Sequence, residues 1–529
     1  MTTRDATIWL KSYLDTSLLK GGPLVLVVAV AILAGFLYSN YEAPPDISHI
    51  PVLGAELDVK TRRQAYTYNA RTFLERGYNE FNKLGKAFQL DTADGPKIVL
   101  NVKQSEEVSA KPDNIVDNMR PNGRGVQDKY TGYMDGDDVI FRIIKTQLST
   151  RLGELGDILA HQTDKSLAAY IPPCNEWTPV VFYDSITRVV AAVSTRIFVG
   201  EELTTSEEWL QITIDYTKQL MEAAHAIKFL NPWLRPIFYR FLPQFRTLMN
   251  TNEAALRIVK PLVQARREAM DKPDFNGGDN MLQWMLDERV KKGFHDKDYR
   301  YLAQLQLQLS FAAIHTTSMA LTNMLYDLIA NPEMIGILHE EVKEQLALNN
   351  GSWEGQFLKK LQKVDSFMKE SQRHNPVGLT ISDRDILRPI TLSDGTFLPA
   401  GTTITSNGWH INRDPDVLQS ESDPKKFDGL RYYNMRDQLI KTGLDDKKVA
   451  GKHQFVSISS SSMMFGTGKH ACPGRFFAGN EIKLLLAKIV MRFDLKMPPG
   501  VTERYPGFSY EQSNLLDTTK NIMMKRRKL

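Results

Sequence analysis

Phe465-Gly466-Thr467-Gly468-Lys469-His470-Ala471-Cys472-Pro473-Gly474-Arg475-Phe476-Phe477-Ala478 joins an aromatic residue, closely spaced glycines and one cysteine ahead of an apolar-periodic run from Phe476 to Phe493. Glycine permits backbone conformations that a Cβ would oppose. Pro473 suits the first turn of a helix, where a missing N–H costs little. The pattern predicts a kinked loop that delivers the sulfur of Cys472 to a helix start. Unpaired backbone N–H groups and the positive end of the helix dipole favour thiolate over thiol there. A lone cysteine in such a turn is more often a buried structural thiol, so the rest of the chain has to decide between the two.

Phe465, Gly468, Cys472 and Gly474 fit the spacing F-x-x-G-x-x-x-C-x-G. This resembles the haem-binding signature of the cytochrome P450 family. The resemblance implies haem b, with Cys472 as the axial iron ligand. It also implies that Phe465, Gly468 and Gly474 shape the loop around the haem. His470 stands where many members carry Arg, and by the same resemblance reaches a haem propionate. A thiolate in the axial position favours O–O cleavage.

Upstream lies Phe367-Met368-Lys369-Glu370-Ser371-Gln372-Arg373-His374-Asn375-Pro376. Glu370 and Arg373 are three apart on a helix and meet on one face. As an exposed pair they would contribute a few tenths of a kcal/mol, roughly. Their spacing also resembles the family's E-x-x-R signature, which Arg431 in Phe427-Asp428-Gly429-Leu430-Arg431 would complete. That triad, Glu370, Arg373 and Arg431, would lock the cysteine loop.

A long helix is predicted from near Asp298 to Ala330, ended by Asn331-Pro332. From Leu302 to Leu328 it is apolar on nearly every face, as suits a helix crossing a core. It contains Ala312-Ala313-Ile314-His315-Thr316-Thr317. The family pattern is small-Gly-x-acid-Thr-Thr, so Ala313 replaces Gly, His315 replaces the acid and Thr316 matches. A helical threonine can bond the carbonyl one turn back. In the family's register Thr316 holds water beside bound dioxygen, and His315, titrating near neutrality, would share proton delivery. By position, Phe311, Ala312, Val377, Gly378, Leu379 and Leu515 are the implied substrate contacts. Alternation around Asp394-Gly395, between Ile390 and Ile404, predicts a hairpin. Arg384, just before it, falls near the family's propionate-binding Arg.

Elsewhere the patterning predicts helix over 65–90, a strand over 97–102, and helices over 138–165, 179–199 and within 207–270. No W-x-x-x-R occurs in 138–165, so the family's other propionate contacts have no counterpart there. The segment Ile227 to Phe245 is rich in Phe, Trp, Tyr and Pro. It reads equally as core packing between two helices or, by the resemblance, as a substrate-access lid that dips into a membrane.

The chain has 529 residues, 42% hydrophobic and 24% charged, with a net charge of +4. That balance supports a sizeable core and gives no reason to expect nucleic acid as a partner. Two cysteines, Cys174 and Cys472, make neither a disulfide framework nor a zinc motif. Gly21 to Tyr38 carries no charge and is long enough to span a bilayer once. The expected organisation is an N-terminal segment (1–20), a transmembrane anchor (21–38), a proline-containing hinge (39–54) and a catalytic domain (55–529). The resemblance implies a mainly α fold with small β-sheets, anchored in the endoplasmic reticulum membrane with its catalytic domain in the cytosol.

No dinucleotide-binding G-x-G-x-x-G is present. The resemblance implies electrons from NADPH through a separate NADPH–cytochrome P450 reductase, with O2 as co-substrate. The details around His315, Glu370 and Cys472 are similar to fungal members near ent-kaurene oxidase. They imply a monooxygenase acting on a bulky, apolar secondary metabolite, a terpenoid (diterpene or indole diterpene) first. The alternatives are a polyketide or other polycyclic substrate, a haem-thiolate isomerase or dehydratase that inserts no oxygen, and a non-enzymatic haem sensor or binding protein.

Overall fold

The computed structural model describes residues 44–133, 139–275, 277–291, 298–353, 357–443 and 451–528. The chain divides into two compact units, Met1–Ile47 and Ser48–Leu529. The segment 1–20, the expected anchor 21–38 and the first residues of the expected hinge lie outside the described residues. Among the described residues no helix is long and apolar enough to cross a membrane. The second unit is mainly helical, with small sheets at its periphery, as expected.

It opens with α1 (Val59–Glu80), capped by the Asp58 carboxylate on Thr61 N at 3.1 Å. The predicted helix over 65–90 therefore stops earlier. Phe88–Thr92 (β1) pairs antiparallel with Gly95–Leu100 (β2) instead. Gly95 at φ 111° makes the tight turn, and burial alternates along β1. These strands join a five-stranded sheet in the order β1-β2-β8-β5-β3, with β3 Val116–Asp117, β5 Ile381–Ile386 and β8 Thr403–Ser406. The predicted hairpin is present as β6 (Ile390–Thr391) against β7 (Phe397–Leu398). A three-stranded sheet sets β12 (Asn521–Arg526) between β4 (Thr178–Val181) and β9 (Phe493–Lys496), and β10 (Phe508–Tyr510) pairs β11 (Ser513–Leu515).

The expected helix over 138–165 is broken. Helical turns at Val139–Ile143 run into a π-helical stretch, Ile144–Leu148, and regular helix resumes at Gly156–Tyr170. The core lies between α2 (Phe182–Phe198), α3 (Glu207–Phe229), α4 (Pro243–Met270) and the long α5 (Tyr299–Ala330). Val189, Val190, Ala191, Ala192 and Val193 of α2 are all fully buried, and each large apolar side chain so removed from water contributes about 1.5–3 kcal/mol before entropy. The Asp298 carboxylate caps α5 on Tyr301 N at 3.0 Å. Nineteen of its residues are buried, which is why its apolarity has no single face.

The aromatic segment after α3 is not core packing. Phe229 is 91% exposed, and Trp233, Leu234, Ile237, Phe238 and Phe241 are exposed beside it. Large exposed apolar patches are typical of interaction surfaces.

Candidate active site

The cysteine loop is built as its glycines imply. Gly466 and Gly468 have φ of 79° and 62°, and a Cβ on Gly468 would stand 2.8 Å from the Ser109 carbonyl oxygen. Cys472 N donates to Phe465 O at 2.7 Å, which closes the loop on itself. Helix α8 begins at Arg475 and runs to Arg492, after α6 (Gln362–His374) and α7 (Arg431–Lys441) in chain order. Pro473 and Gly474 form the turn before α8, so Pro473 lies just outside the helix it was expected to start. The sulfur thus faces the helix N-terminus across one turn.

Cys472 is exposed, but into an internal cavity. Desolvation there pushes the thiol pKa up, while backbone N–H groups at Gly474 and Arg475 and the Arg475 charge pull it down. The cavity holds about 250 Å³. Ala312, Ala313, Thr316 and Thr317 of α5 form one wall, and Phe465, Cys472, Gly474 and Phe477 form the other. The remaining lining is largely apolar, including Ile140, Phe141, Ile144 and Leu305.

Thr316 is exposed to this space and donates its hydroxyl to Ala312 O at 2.7 Å. His315 does not line the cavity. Its Nε2 is 2.8 Å from Ile214 O in α3, and its Nδ1 is 2.9 Å from the Tyr183 hydroxyl in α2. A carbonyl only accepts, so Nε2 carries a proton and donates to Ile214 O. The expected share of His315 in proton delivery is therefore not what the geometry offers; the ring ties α5 to two neighbouring helices.

Glu370, Arg373 and Arg431 come together in the interior, not at the surface. Glu370 Oε1 is 2.7 Å from Arg373 Nη2, and Arg431 Nε lies 3.1 Å from Oε2, with the Glu370 side chain fully buried. Burial alone would raise the Glu370 pKa, but the two guanidiniums hold it below the usual carboxylate range. The arginines also bond the carbonyls of Asn412, Pro424, Ser422, Asp423 and Lys426. The triad thereby fixes the loop leading to α7.

Arg384 is buried on β5 and donates from Nη2 to Thr467 O in the cysteine loop at 2.9 Å. His470 Nε2 is 2.5 Å from Asp113 Oδ1, and Lys469 Nζ is 2.8 Å from the same carboxylate. Burial lowers the His470 pKa. Of the expected substrate contacts, Ala312 lines the cavity and Phe311 stands behind it, its ring 5.0 Å from that of Tyr133. Val377, Gly378, Leu379 and Leu515 do not line it. They belong to a backbone junction in which Leu379 N donates to Gln512 O at 2.7 Å and Asn514 N to Val377 O at 2.8 Å. Sequence reasoning missed Tyr133 and Gln308, which do line the cavity. Gln308 repeats the four-residue step of Ala312 and Thr316, a signal that was available.

The family model "Cytochrome P450" matches residues 143–526. This chain is a cytochrome P450. It is 34% identical over 501 residues to the cytochrome P450 monooxygenase braC of Annulohypoxylon truncatum, covering 94% of this chain and 97% of that one. It is 30% identical over 471 residues to the ent-kaurene oxidase of Gibberella intermedia, covering 88% and 85%. In fold it is similar to the retinoic acid-bound cyanobacterial CYP120A1, with a TM-score of 0.63 and 17% identity over 87% of this chain and 95% of that one. The P450 is thus a haem-iron monooxygenase that uses O2.

Its residues fit a haem. Gly474 has an ordinary φ of −81°, and an added Cβ there would meet nothing within 4 Å, so the cavity wall next to the cysteine loop is open at this point. Among the described residues Arg384 has no carboxylate within ion-pair distance, and burial lowers its pKa. A buried cation without an ion-pair partner at the edge of the loop suits the acidic edge of a haem.

Proposed function

We propose that this P450 hydroxylates unactivated C–H bonds of a bulky, apolar secondary metabolite, a terpenoid first, with Cys472 as the iron ligand. The observation that carries the reading is the apolar cavity that has the Cys472 sulfur on one wall and the Thr316 hydroxyl on the other. The likeness to an ent-kaurene oxidase supports a polycyclic terpenoid.

Bound haem supplies the oxygen activation. The protein's part is positional. The Gly474 and Arg475 N–H groups stabilise negative charge on sulfur. Thr316 spends its proton on Ala312 O, which leaves its oxygen lone pairs free to accept from water at the reacting face. The apolar wall orients substrate and excludes bulk water. Arg384 and His470 are assigned to the propionate edge. Electrons come from NADPH through a separate NADPH–cytochrome P450 reductase. Residues 21–38 anchor the protein in the endoplasmic reticulum membrane, with the exposed segment from Phe229 to Phe241 against the lipid and the catalytic domain cytosolic.

The test is turnover of the haem-loaded protein with reductase, NADPH and a panel of polycyclic terpenoids under 18O2. The reading expects a product gaining one labelled oxygen from at least one terpenoid. Oxygenation of polyketides but no terpenoid would replace the substrate class.

A further inference from the structure

We propose that the cavity contains a polar subsite, formed by the Tyr133 hydroxyl and the Gln308 side-chain amide, that binds a neutral oxygen function already present on the substrate. This rests on the reading that the cavity beside Cys472 receives the substrate. Both residues line that cavity. Among the described residues neither the phenol oxygen nor the amide has a hydrogen-bond partner.

The hydroxyls of α5 behave differently from this amide, and Gln306, which faces the core with Nε2 3.6 Å from Met285 Sδ, does not reach the cavity. The hydroxyls of Ser310, Thr316, Ser318 and Thr322 each return to the carbonyl one turn back. An amide in an apolar wall with neither such closure nor a neighbour is left for something that enters the cavity.

Phe311 links the two groups. Gln308 and Phe311 are three apart on α5 and share a face. The Tyr133 ring packs edge-on against Phe311 at 5.0 Å. Thr316 is about two turns further along the helix, so a molecule held by the two groups reaches the Cys472–Thr316 axis with its far side. Desolvation pushes the phenol pKa of Tyr133 up, as it does for the adjacent Tyr216, so the phenol stays a donor. A phenol that donates and an amide that donates and accepts match a ketone or an alcohol. No charged side chain is among the described residues lining the cavity, which disfavours a carboxylate. The substrate is therefore a terpenoid that already carries oxygen, not the parent hydrocarbon.

Matched ligands test this by their effect on the Soret band of the haem-loaded protein: 5α-androstane with 5α-androstan-3-one, and cyclododecane with cyclododecanone. The ketone of a pair should bind about tenfold more tightly than its hydrocarbon, the range expected for a hydrogen bond in a dry site. That preference should fall towards unity in Gln308→Leu and in Tyr133→Phe, with hydrocarbon affinity retained, a split that a general packing defect would not give. Equal affinities in the wild type, or a preference surviving both substitutions, would overturn the subsite. A ketone preference with the macrocyclic pair while the polycyclic pair is silent would sink the polycyclic reading and leave the subsite standing. Silence from all four ligands contradicts both.

Discussion

Thr316 and His315 are neighbours in sequence with opposite assignments. Thr316 presents an oxygen to the cavity, whereas His315 turns both ring nitrogens into helix–helix contacts. Thr316→Ala should keep haem and substrate binding but lower product per NADPH about tenfold, because water at the reacting face loses the oxygen that positions it, a smaller loss than the roughly 100-fold or more of a direct proton donor. Measuring product against NADPH consumed and peroxide released checks it; full coupling in the variant would remove Thr316 from proton delivery. Glu481 is a second residue with a distinct consequence. Its carboxyl is buried on α8, with Ser194 Oγ at 3.1 Å and Oε2 unpaired. Burial raises its pKa from 4.5 to about 8. Below the lower value both folded and unfolded states are protonated. Between the two values only the unfolded state ionises, so stability falls as pH rises and levels off above the folded value. The slope is on the order of 1 kcal/mol per pH unit. Glu481→Gln should flatten this part of the stability–pH curve; unfolding midpoints at several pH values would show it, and parallel slopes would contradict it.

At the scale of elements, the buried triad is the most consequential contact. Glu370→Ala would leave Arg373 and Arg431 as unpaired interior charges, a loss of about 3–5 kcal/mol. Unfolding and haem retention measured together test this, and a variant within about 1 kcal/mol of wild type would contradict it. The triad was legible because a three-residue spacing and an exact loop motif survive in one dimension. The break at Ile144–Leu148 was not, since the periodicity of 138–165 continues across a π turn that only tertiary packing selects. Residues 88–90 were read as helix although Asp94-Gly95 offered a hairpin turn; the alternation before it is short and was outweighed by the helical run behind it. The two residues singled out for the reaction, Thr316 and Cys472, do line one cavity. Its other polar lining was less legible, because Tyr133 and Gln308 belong to elements far apart in sequence, and among Gln304, Gln306 and Gln308 only the four-residue step to Ala312 and Thr316 marks the cavity face. Val377, Gly378, Leu379 and Leu515 were placed by family position alone, and here backbone pairing with the strand that follows Tyr510 occupies that junction.

For the whole molecule, the proposed membrane attachment rests on the exposed aromatic segment from Phe229 to Phe241 and on the uncharged run 21–38. Deleting residues 1–38 should release most of the protein from carbonate-washed microsomes, and replacing Phe229, Trp233 and Ile237 with serine in the deleted form should release the remainder. Persistence of both forms in the membrane pellet would contradict the assigned attachment. The central claim, however, is that Cys472 ligates haem iron through its thiolate. The most direct measurement is the carbon monoxide difference spectrum of the reduced protein, wild type beside Cys472→Ala. A strongly red-shifted Soret band in the wild type, absent from a folded Cys472→Ala variant, is the predicted result. The same band in both proteins, or its absence from folded, haem-replete wild type, would contradict the account.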